Sequence, residues 1–323
     1  MKPIRVGVVG VGYLGKFHAE KYAGMKGVKL AGVVDVVPER AESVAKRLGT
    51  ESFADYRDLI GQVDAVSVVV PTPLHFTISR VFLENDVDVL IEKPITETLE
   101  EADALIKIAD SRDLIIQVGH LERFNPAVVA LMHVVDRPLF IESHRLSIFK
   151  GRGTEVDVVL DLMIHDIDII LNFVKSEPKN IHAVGVPVIS PRVDIANARL
   201  VFENGCVANV TASRISMKNM RKIRIFQKDT YVAVDYASND ITVLRKDGRG
   251  TELPVPGISM EQSTFEKADS LEAELRSFVE SVRNRQAPLV SARDGRNALR
   301  VAHGIIEQIE ATNEQLPGKR VTS

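Results

Sequence analysis

The first 120 residues alternate short runs of β-branched residues with amphipathic stretches. The apolar runs lie at residues 4–9, 28–34, 65–70, 87–91 and 114–118. Helical periodicity marks the stretches between them, at residues 14–22, 38–48, 76–83 and 98–109. Because the runs are nearly continuous, they indicate strands buried on both faces, as in a parallel sheet covered by crossover helices. This half is therefore predicted to be a doubly wound α/β domain of the Rossmann type.

The rhythm changes in the second half of the chain. From residue 180, strand-like runs follow one another across short turns, at residues 181–188, 197–202, 207–213, 222–226, 231–236 and 241–244. Such spacing predicts hairpins in one large, mostly antiparallel open sheet, with a helix over residues 157–173 packed against it. A loop is expected over residues 253–267, followed by helices at residues 270–284 and 292–312.

These patterns predict two domains, one over residues 1–122 and an α+β domain over residues 123–323. The last helix is a candidate to pack back on the first domain. No predicted helix covers the second face of the large sheet, and an extensive apolar face rarely stays exposed. We therefore expect a homodimer or homotetramer formed through that sheet.

Composition narrows the class of function. The chain has 323 residues, 45% of them apolar, and 41 basic against 44 acidic residues give a net charge of −3. A nucleic acid partner is not expected without a basic field, and a small-molecule ligand is favoured. The single cysteine, Cys206, permits no disulfide within the chain. With no export signal or membrane span in the pattern, we expect a cytoplasmic protein without a membrane partner.

A glycine-rich turn, GVGYLG at residues 10–15, follows the first strand and opens a helix. Gly10 permits the tight turn, Gly12 lets the backbone approach a pyrophosphate, and Gly15 lets the helix pack on the strand. The helix N-terminus then supplies free N–H groups for the phosphates. The predicted dinucleotide contacts in this turn are Gly10, Gly12, Tyr13, Leu14 and Gly15.

Asp35 lies about twenty residues beyond the turn, at the end of the second strand. A carboxylate there accepts hydrogen bonds from the adenosine ribose and repels a 2′-phosphate, which favours NAD over NADP. Arg40 nearby keeps NADP as the less favoured alternative. The simpler alternative for Asp35 is a helix N-cap before Pro38.

Two further segments are expected at the carboxyl edge of the parallel sheet, where ligands collect in this architecture. Residues 71–75 follow the strand predicted at 65–70, and Glu92, Lys93 and Pro94 follow the one predicted at 87–91. An ammonium at Lys93 would stabilise a developing alkoxide. A cis bond before Pro94 is one possibility, and a plain solvated turn is the alternative for this segment.

An acidic stripe gives the second catalytic candidate. At helical spacing Asp157, Asp161, His165 and Asp168 fall within an arc of about 80°, and Asp166 points the other way. His165 would take a hydroxyl proton, and Asp161 one turn earlier would orient its ring. A solvated helix face is one alternative, and a divalent metal held with Asp168 is the other; we expect no metal, because the lysine already supplies a positive charge.

Together these segments resemble the Gfo/Idh/MocA oxidoreductase family over essentially the whole chain. The resemblance rests on residues 10–15, residues 92–94 and the spacing of Asp161, His165 and Asp166. It implies an NAD(P) domain, a C-terminal mixed sheet that often forms the oligomer interface, and oxidation of a sugar or cyclitol secondary alcohol. It also implies that Lys93 is the catalytic lysine, His165 the acid/base and Asp161 its preceding aspartate. The cofactor-side positions that it implies are Thr72, Pro73, His75, Glu92 and Lys93.

Residues 117–126 are similar to one subgroup of that family, the UDP-N-acetylglucosamine 3-dehydrogenases. Lys150 and Arg152, beside Gly151 and Gly153, would suit a diphosphate, with an ordinary exposed loop as the alternative. The basic stretch at residues 204–228 would also suit a diphosphate, but it is expected above all to protect an exposed strand edge. The predicted substrate contacts are Lys93, Arg123, Asn125, Lys150, Arg152, Asp161 and His165.

The leading hypothesis is an NAD-dependent dehydrogenase that oxidises a ring hydroxyl of a nucleotide sugar, at C3 of UDP-N-acetylglucosamine. It requires Lys93 and His165 to converge on one carbinol beside the cofactor. A dehydrogenase of a free polyol or sugar, such as an inositol, would use the same residues. A non-catalytic sensor of NAD redox state is the alternative from another class, and the presence of both Lys93 and His165 argues against it.

Overall fold

The computed structural model of the protein describes residues 2–149, 151, 154–246, 251–252, 257–266 and 268–315. The chain folds as two compact units. Unit 1 comprises Met1–Phe124 and Asp269–Leu299, and unit 2 comprises Asn125–Ala268 and Arg300–Ser323. Among the described residues, no helix combines the length and apolarity needed to cross a bilayer.

Unit 1 is built on a six-stranded parallel sheet. Its strands are β1 (Ile4–Val9), β2 (Val28–Val34), β3 (Glu51–Phe53), β4 (Ala65–Val68), β5 (Asp88–Glu92) and β6 (Ile116–Gly119). Its first four helices are α1 (Gly15–Gly24), α2 (Pro38–Leu48), α3 (His75–Glu84) and α4 (Leu99–Arg112). The strand order is β3-β2-β1-β4-β5-β6, so the chain adds strands first on one side of β1 and then on the other. The switch between β1 and β4 forms the crevice where doubly wound sheets bind ligands. The predicted Rossmann class is confirmed.

Local sequence explains where these helices begin and end. Thr98 caps α4 in a capping box with Glu101, so the first N–H groups have side-chain acceptors. Proline opens α2 at a position that needs no N–H donor, and Gly49 ends it with φ 66° in the left-handed region.

Helix α7 (Ser270–Asn284) belongs to unit 1 although it follows the second sheet in sequence. Leu275 and Phe278 of α7 lie in the same buried cluster as Val6 of β1 and Tyr22 of α1. The first segment of unit 1 ends at Phe124, close to the expected boundary at residue 122. The contact-based division also places α7 and the first turns of the last helix, α8 (Ala292–Gln315), in unit 1. The physical reason is the apolar stripe of α7, which completes the core around β1 and α1.

Unit 2 is built on a nine-stranded sheet of order β14-β15-β13-β12-β11-β7-β10-β9-β8. Its strands are β7 (Pro138–Leu146), β8 (Pro178–Val186), β9 (Ile195–Phe202), β10 (Val207–Ser213), β11 (Met220–Gln227), β12 (Thr230–Asp235), β13 (Asp240–Arg245), β14 (Thr251–Glu252) and β15 (Ser259–Thr264). All neighbouring pairs are antiparallel except β7 with β10. The mostly antiparallel second sheet is confirmed.

Two predictions about this sheet need correction. The pattern missed β7, which lies near the middle of the sheet between β11 and β10, because its buried side carries the polar residues Ser143 and Arg145 beside Ile141. The segment expected to be a loop over residues 253–267 includes β15, which pairs with β13. Its side chains are largely exposed, so they carry no apolar pattern.

The helices of unit 2 are α5 (Pro126–Leu131), α6 (Ile164–Val174) and the part of α8 from Arg300 onward. A π-helical turn, Val159–Met163, precedes α6. The single regular helix expected over residues 157–173 is therefore interrupted. Each residue of a π turn rotates the chain about the helix axis by a smaller angle than a residue of an α-helix does. Side chains before and after the turn therefore do not keep the expected 100° spacing.

Candidate active site

The glycine-rich turn has the geometry that each glycine predicts. Gly10 adopts φ +86°, and a Cβ there would overlap the main chain of Val69. A Cβ at Gly15 would overlap the carbonyl of Gly10. At Gly12, by contrast, a Cβ would meet only Arg40 Nη1 at 3.8 Å, so this glycine borders open space. The turn therefore offers its main chain to a ligand at Gly12.

Asp35 ties this turn to the end of β2. Its Oδ2 accepts a hydrogen bond from Val11 N at 3.0 Å, and its Oδ1 accepts one from Val37 N at 2.9 Å. Arg40 Nη1 donates to both oxygens at 3.1 and 3.2 Å. The N-cap of α2 is Val37, so the capping alternative for Asp35 does not hold. Because the Arg40 side chain is half exposed, a ligand hydroxyl has room to share its place on the carboxylate.

A groove of about 470 Å³ lies beside the turn, lined by Gly12, Tyr13, Lys16, Arg40 and Arg47 among others. Large apolar side chains stand exposed at the same carboxyl edge of the sheet, with Tyr13 65% and Val36 88% accessible. Exposed apolar residues grouped at a concave polar turn are typical of a ligand site. The glycine geometry, the groove and this rim fit a dinucleotide.

His75 joins the ends of β4 and β5. One ring nitrogen lies 2.8 Å from Val70 O, and the other lies 2.8 Å from Pro94 O. Its side chain is only 1% exposed, and this burial lowers the pKa of the imidazole despite the bonds to both carbonyls. His75 thus holds the Lys93–Pro94 turn against the short 3₁₀ turn Thr72–Leu74 that precedes α3, while direct cofactor contact by Thr72, Pro73 and His75 stays a prediction.

Lys93 follows β5 and is half buried, and its peptide bond to Pro94 is cis. Behind it, Glu92 Oε1 lies 3.2 Å from His18 Nε2, and Lys93 N donates to Glu92 Oε2 at 3.2 Å. Burial opposes ionisation of Glu92, but the hydrogen bond and charge of His18, with the charge of Lys93, keep its pKa below the ordinary value. His18 was missed from sequence, although its place one turn into α1 sets it beside the glycine turn.

In unit 2 the structure places Asp161 on the π turn and His165 on α6, both half buried. Asp168, however, is only 2% exposed. The prediction that the whole acidic stripe faces a cleft or water is therefore wrong. Most positions of α6 are buried, and Asp168 is one of them. The described residues contain no group of three or more potential metal ligands.

Asp166, next to His165, makes a buried ion pair. Its Oδ2 accepts from Arg145 Nε at 2.6 Å, and its Oδ1 accepts from Ser143 Oγ at 2.8 Å. The pair fastens α6 to β7 at the residue after the candidate base. Asp161 and Lys93 belong to separate units, as do His165 and Lys93, and their convergence stays a prediction.

The other predicted substrate contacts fall in different settings. Arg123 is buried and lies 3.7 Å from Asp294 Oδ1. Asn125 caps α5, with its Oδ1 accepting from Ala127 N at 2.9 Å. Lys150 and Arg152 lie outside the described residues.

The basic stretch at residues 204–228 is not a strand edge, so that expectation is wrong. β11, which carries Lys222 and Arg224, pairs with β12 on one side and β7 on the other. Lys222 forms an ion pair with Asp235, and Arg224 forms one with Glu142, on the strands to either side.

Comparison with known proteins adds independent findings. The sequence profile described as an oxidoreductase family with an NAD-binding Rossmann fold matches residues 4–120, and the profile of the GFO/IDH/MocA C-terminal domain matches residues 142–230. The chain is 40% identical over 309 residues to UDP-N-acetylglucosamine 3-dehydrogenase of Acidithiobacillus ferrooxidans, covering 95% of this chain and 98% of that protein. A solved structure of that protein superposes with a TM-score of 0.91 and 39% identity, covering 96% of this chain and 99% of that one. The NAD(+)-dependent scyllo-inositol 2-dehydrogenase of Bacillus subtilis is 29% identical, covering 96% of this chain and 93% of that protein.

Proposed function

We propose a nucleotide-sugar dehydrogenase function from one premise: this chain belongs to the Gfo/Idh/MocA family of oxidoreductases, whose first domain is an NAD-binding Rossmann fold. The substrate is UDP-N-acetylglucosamine, oxidised at the ring hydroxyl on C3. One observation carries this choice over a free inositol. The similarity to the UDP-N-acetylglucosamine 3-dehydrogenase runs through nearly the whole of both chains, at 40% identity against 29% for the scyllo-inositol enzyme.

In this proposal the cofactor is held by the residues of the glycine-rich turn and by Asp35. When bound, NAD supplies the acceptor for the hydride that leaves the carbinol carbon. His165 takes the hydroxyl proton, and Asp161 orients the imidazole for that transfer. Lys93 stabilises the developing oxyanion. Glu92 and His75 keep the turn that carries Lys93 in place.

The nucleotide part of the substrate needs positive charge. Lys150 and Arg152 are the proposed partners of the diphosphate, since paired cations beside glycines give a close approach to phosphate oxygens. Arg123 and Asn125 are proposed to reach the substrate from the segment that links the two units.

We also propose that the open face of the second sheet joins copies of the chain into a dimer or tetramer. Phe140, Phe226 and Tyr231 form an aromatic row on that face, with ring centroids 5.6 and 4.9 Å apart. Cross-strand ion pairs lie beside the row, so the face is mixed rather than purely apolar as expected. A monomer at micromolar concentration in size-exclusion chromatography would contradict this. A cytoplasmic location stays a prediction.

The test is a screen at 340 nm with NAD and NADP against nucleotide sugars, hexoses and cyclitols. We expect NADH formation with UDP-N-acetylglucosamine, and a signal with a cyclitol alone would assign the polyol alternative. Lys93→Ala should lower kcat by about 10²–10⁴ with little change in NAD affinity. Lys107→Ala, an exposed lysine on α4, is the matched control. Tight NADH binding without turnover of any alcohol would point to the redox sensor instead.

A further inference from the structure

Helix α7 carries a glutamate inside the core of unit 1. Glu274 is 0% exposed, and neither of its carboxyl oxygens has a hydrogen-bond partner among the residues that the structure describes. Its neighbours along the helix stripe, Leu275 and Phe278, are core residues. A carboxylate left there without donors would lose its hydration and gain nothing in return, so the group is driven to take up a proton.

A second carboxyl group acts on Glu274. Glu92, at the end of β5, is largely buried and already has His18 as its partner. Burial first, and the charge of Glu92 second, raise the pKa of Glu274 well above its ordinary value. Two neighbouring buried carboxyl groups do not both ionise readily.

This region also contains buried acceptor oxygens that receive no hydrogen bond from a described group. Gln117 Nε2 donates to the main-chain oxygen of Glu274 at 3.0 Å. The buried Gln117 Oε1 accepts no hydrogen bond from a described group. The same is true of the two carboxyl oxygens of Glu274. An ionised Glu274 would add one more acceptor to this set, whereas a protonated Glu274 adds a donor.

We propose that Glu274 holds a proton at neutral pH and acts as a positioning residue that leaves Glu92 ionised behind Lys93. The positioning role of Glu274 in catalysis rests on the function proposed above for Lys93. With Glu274 neutral, Glu92 keeps its contacts to His18 and to the main chain of Lys93. With Glu274 charged, the two carboxylates repel each other, and the turn that carries Lys93 loses its support.

Several charged and titratable groups lie on the elements around Glu274. They include His18 and Tyr22 on α1, Glu92 and Lys93 at the end of β5, and His120, Glu122 and Arg123 in the segment after β6. Tyr22 is neutral in this setting, because burial raises its pKa and its hydroxyl contacts Ser67 Oγ at 2.8 Å. Of these groups, Glu92 is the carboxylate that acts on Glu274.

The first experiment measures the proton without using the reaction. Infrared spectra of the full chain at neutral pH should show the carbonyl stretch of a protonated carboxylic acid. Glu274→Gln should remove that band, and Glu280→Gln, an exposed glutamate on the same helix, should keep it. Absence of the band from the wild-type protein, or its survival in Glu274→Gln, would overturn the proposal.

The second experiment reads positioning through the pH dependence of kcat. Glutamine imitates the neutral acid, so Glu274→Gln should keep kcat within about twofold at neutral pH and move the loss of activity at alkaline pH upward by about one unit. An unchanged profile would refute the positioning role. Should Glu274→Gln fold poorly, Glu274→Met removes the same proton and must show the same two changes.

The two proposals fail separately. If Lys93→Ala turns over at the wild-type rate, the proposed function and the positioning half both fall, and the infrared band still decides whether Glu274 is protonated. If the band is missing while Lys93→Ala is inactive, the proposed function stands and the inference about Glu274 is lost.

Discussion

Two wholly buried carboxyl groups, one in each unit, have pKa values shifted in opposite directions. Asp194 in unit 2 and Glu274 in unit 1 are both 0% exposed. Burial alone would raise the pKa of each, yet donors around Asp194 overcome it and lower its pKa to about 2. The pKa of Glu274 is raised well above its ordinary value. Burial therefore does not decide the charge of an acid; the number of donors built around it does.

The difference arises from the element that carries each group. Asp194 lies in the turn between β8 and β9, where main-chain N–H groups are not used by a ladder. Its Oδ2 accepts from Val188, Ile189 and Ser190 at 2.7 to 2.9 Å, and Arg214 Nε lies 3.7 Å from Oδ1. Glu274 projects from a helix into an apolar core, where N–H groups are already bonded within their own elements. A turn supplies donors and a helix stripe does not.

The largest effect is expected from Asp194→Asn. The amide loses the negative charge beside Arg214 and turns an NH₂ group toward donors, which should cost about 3–5 kcal/mol in the free energy of unfolding. Urea unfolding measures it. Asp136→Asn, an exposed aspartate of the same unit, should change stability by less than about 0.5 kcal/mol. A loss for Asp194→Asn as small as that of the control would mean that the turn does not depend on this charge.

The loss of stability at acid pH gives a second measurement of the contribution of Asp194. Because the pKa of Asp194 is lowered from 3.8, its contribution is fully present above the unfolded value and is lost as the pH falls toward about 2. Asp194→Asn should lack that part of the acid loss.

A smaller effect, of opposite sign, is expected from Glu274→Gln. A carboxyl with a raised folded pKa binds a proton on folding, so the wild-type protein should lose stability as the pH rises above about 4.5, toward the folded value. The slope from this single group cannot exceed about 1.4 kcal/mol per pH unit. Glu274→Gln should therefore gain on the wild type with rising pH, in urea unfolding from pH 5 to pH 9. Parallel curves for the two proteins would show that Glu274 is already ionised, and the contrast with Asp194 would vanish.

The smallest effect concerns Cys206, a third buried group and the single cysteine of the chain. Burial raises the pKa of its thiol to about 11, and the bond from Val207 N only partly opposes this. We expect no alkylation by iodoacetamide in the native protein at neutral pH and one equivalent after unfolding. Cys206→Ser, which should not react in either state, is the control. Rapid native labelling would show that burial does not keep this thiol protonated and unreactive.

Features that depend on local periodicity or on local steric constraints were predictable from the amino-acid sequence alone. The runs at β1, β2 and β10 and the helices α2 and α7 begin and end where the pattern placed them. The glycine-rich turn was equally legible, because only glycine tolerates φ +86° at Gly10 and the overlap at Gly15. The family and the Rossmann class, which rest on these features, are confirmed.

Tertiary structure alone decided what depends on neighbours distant in sequence. β7 escaped prediction because its inner face holds Arg145, which is buried only since Asp166 of α6 meets it. The sequence shows Glu274 at helical spacing among Leu271, Leu275 and Phe278, a visible anomaly on an apolar stripe. That it lies wholly buried within reach of the Glu92 charge follows from the packing of α7 into unit 1. The residue type determines which protonation states are open to a side chain. The surrounding donors and packing, which come from residues distant in sequence, determine which of these states is stable in the folded protein.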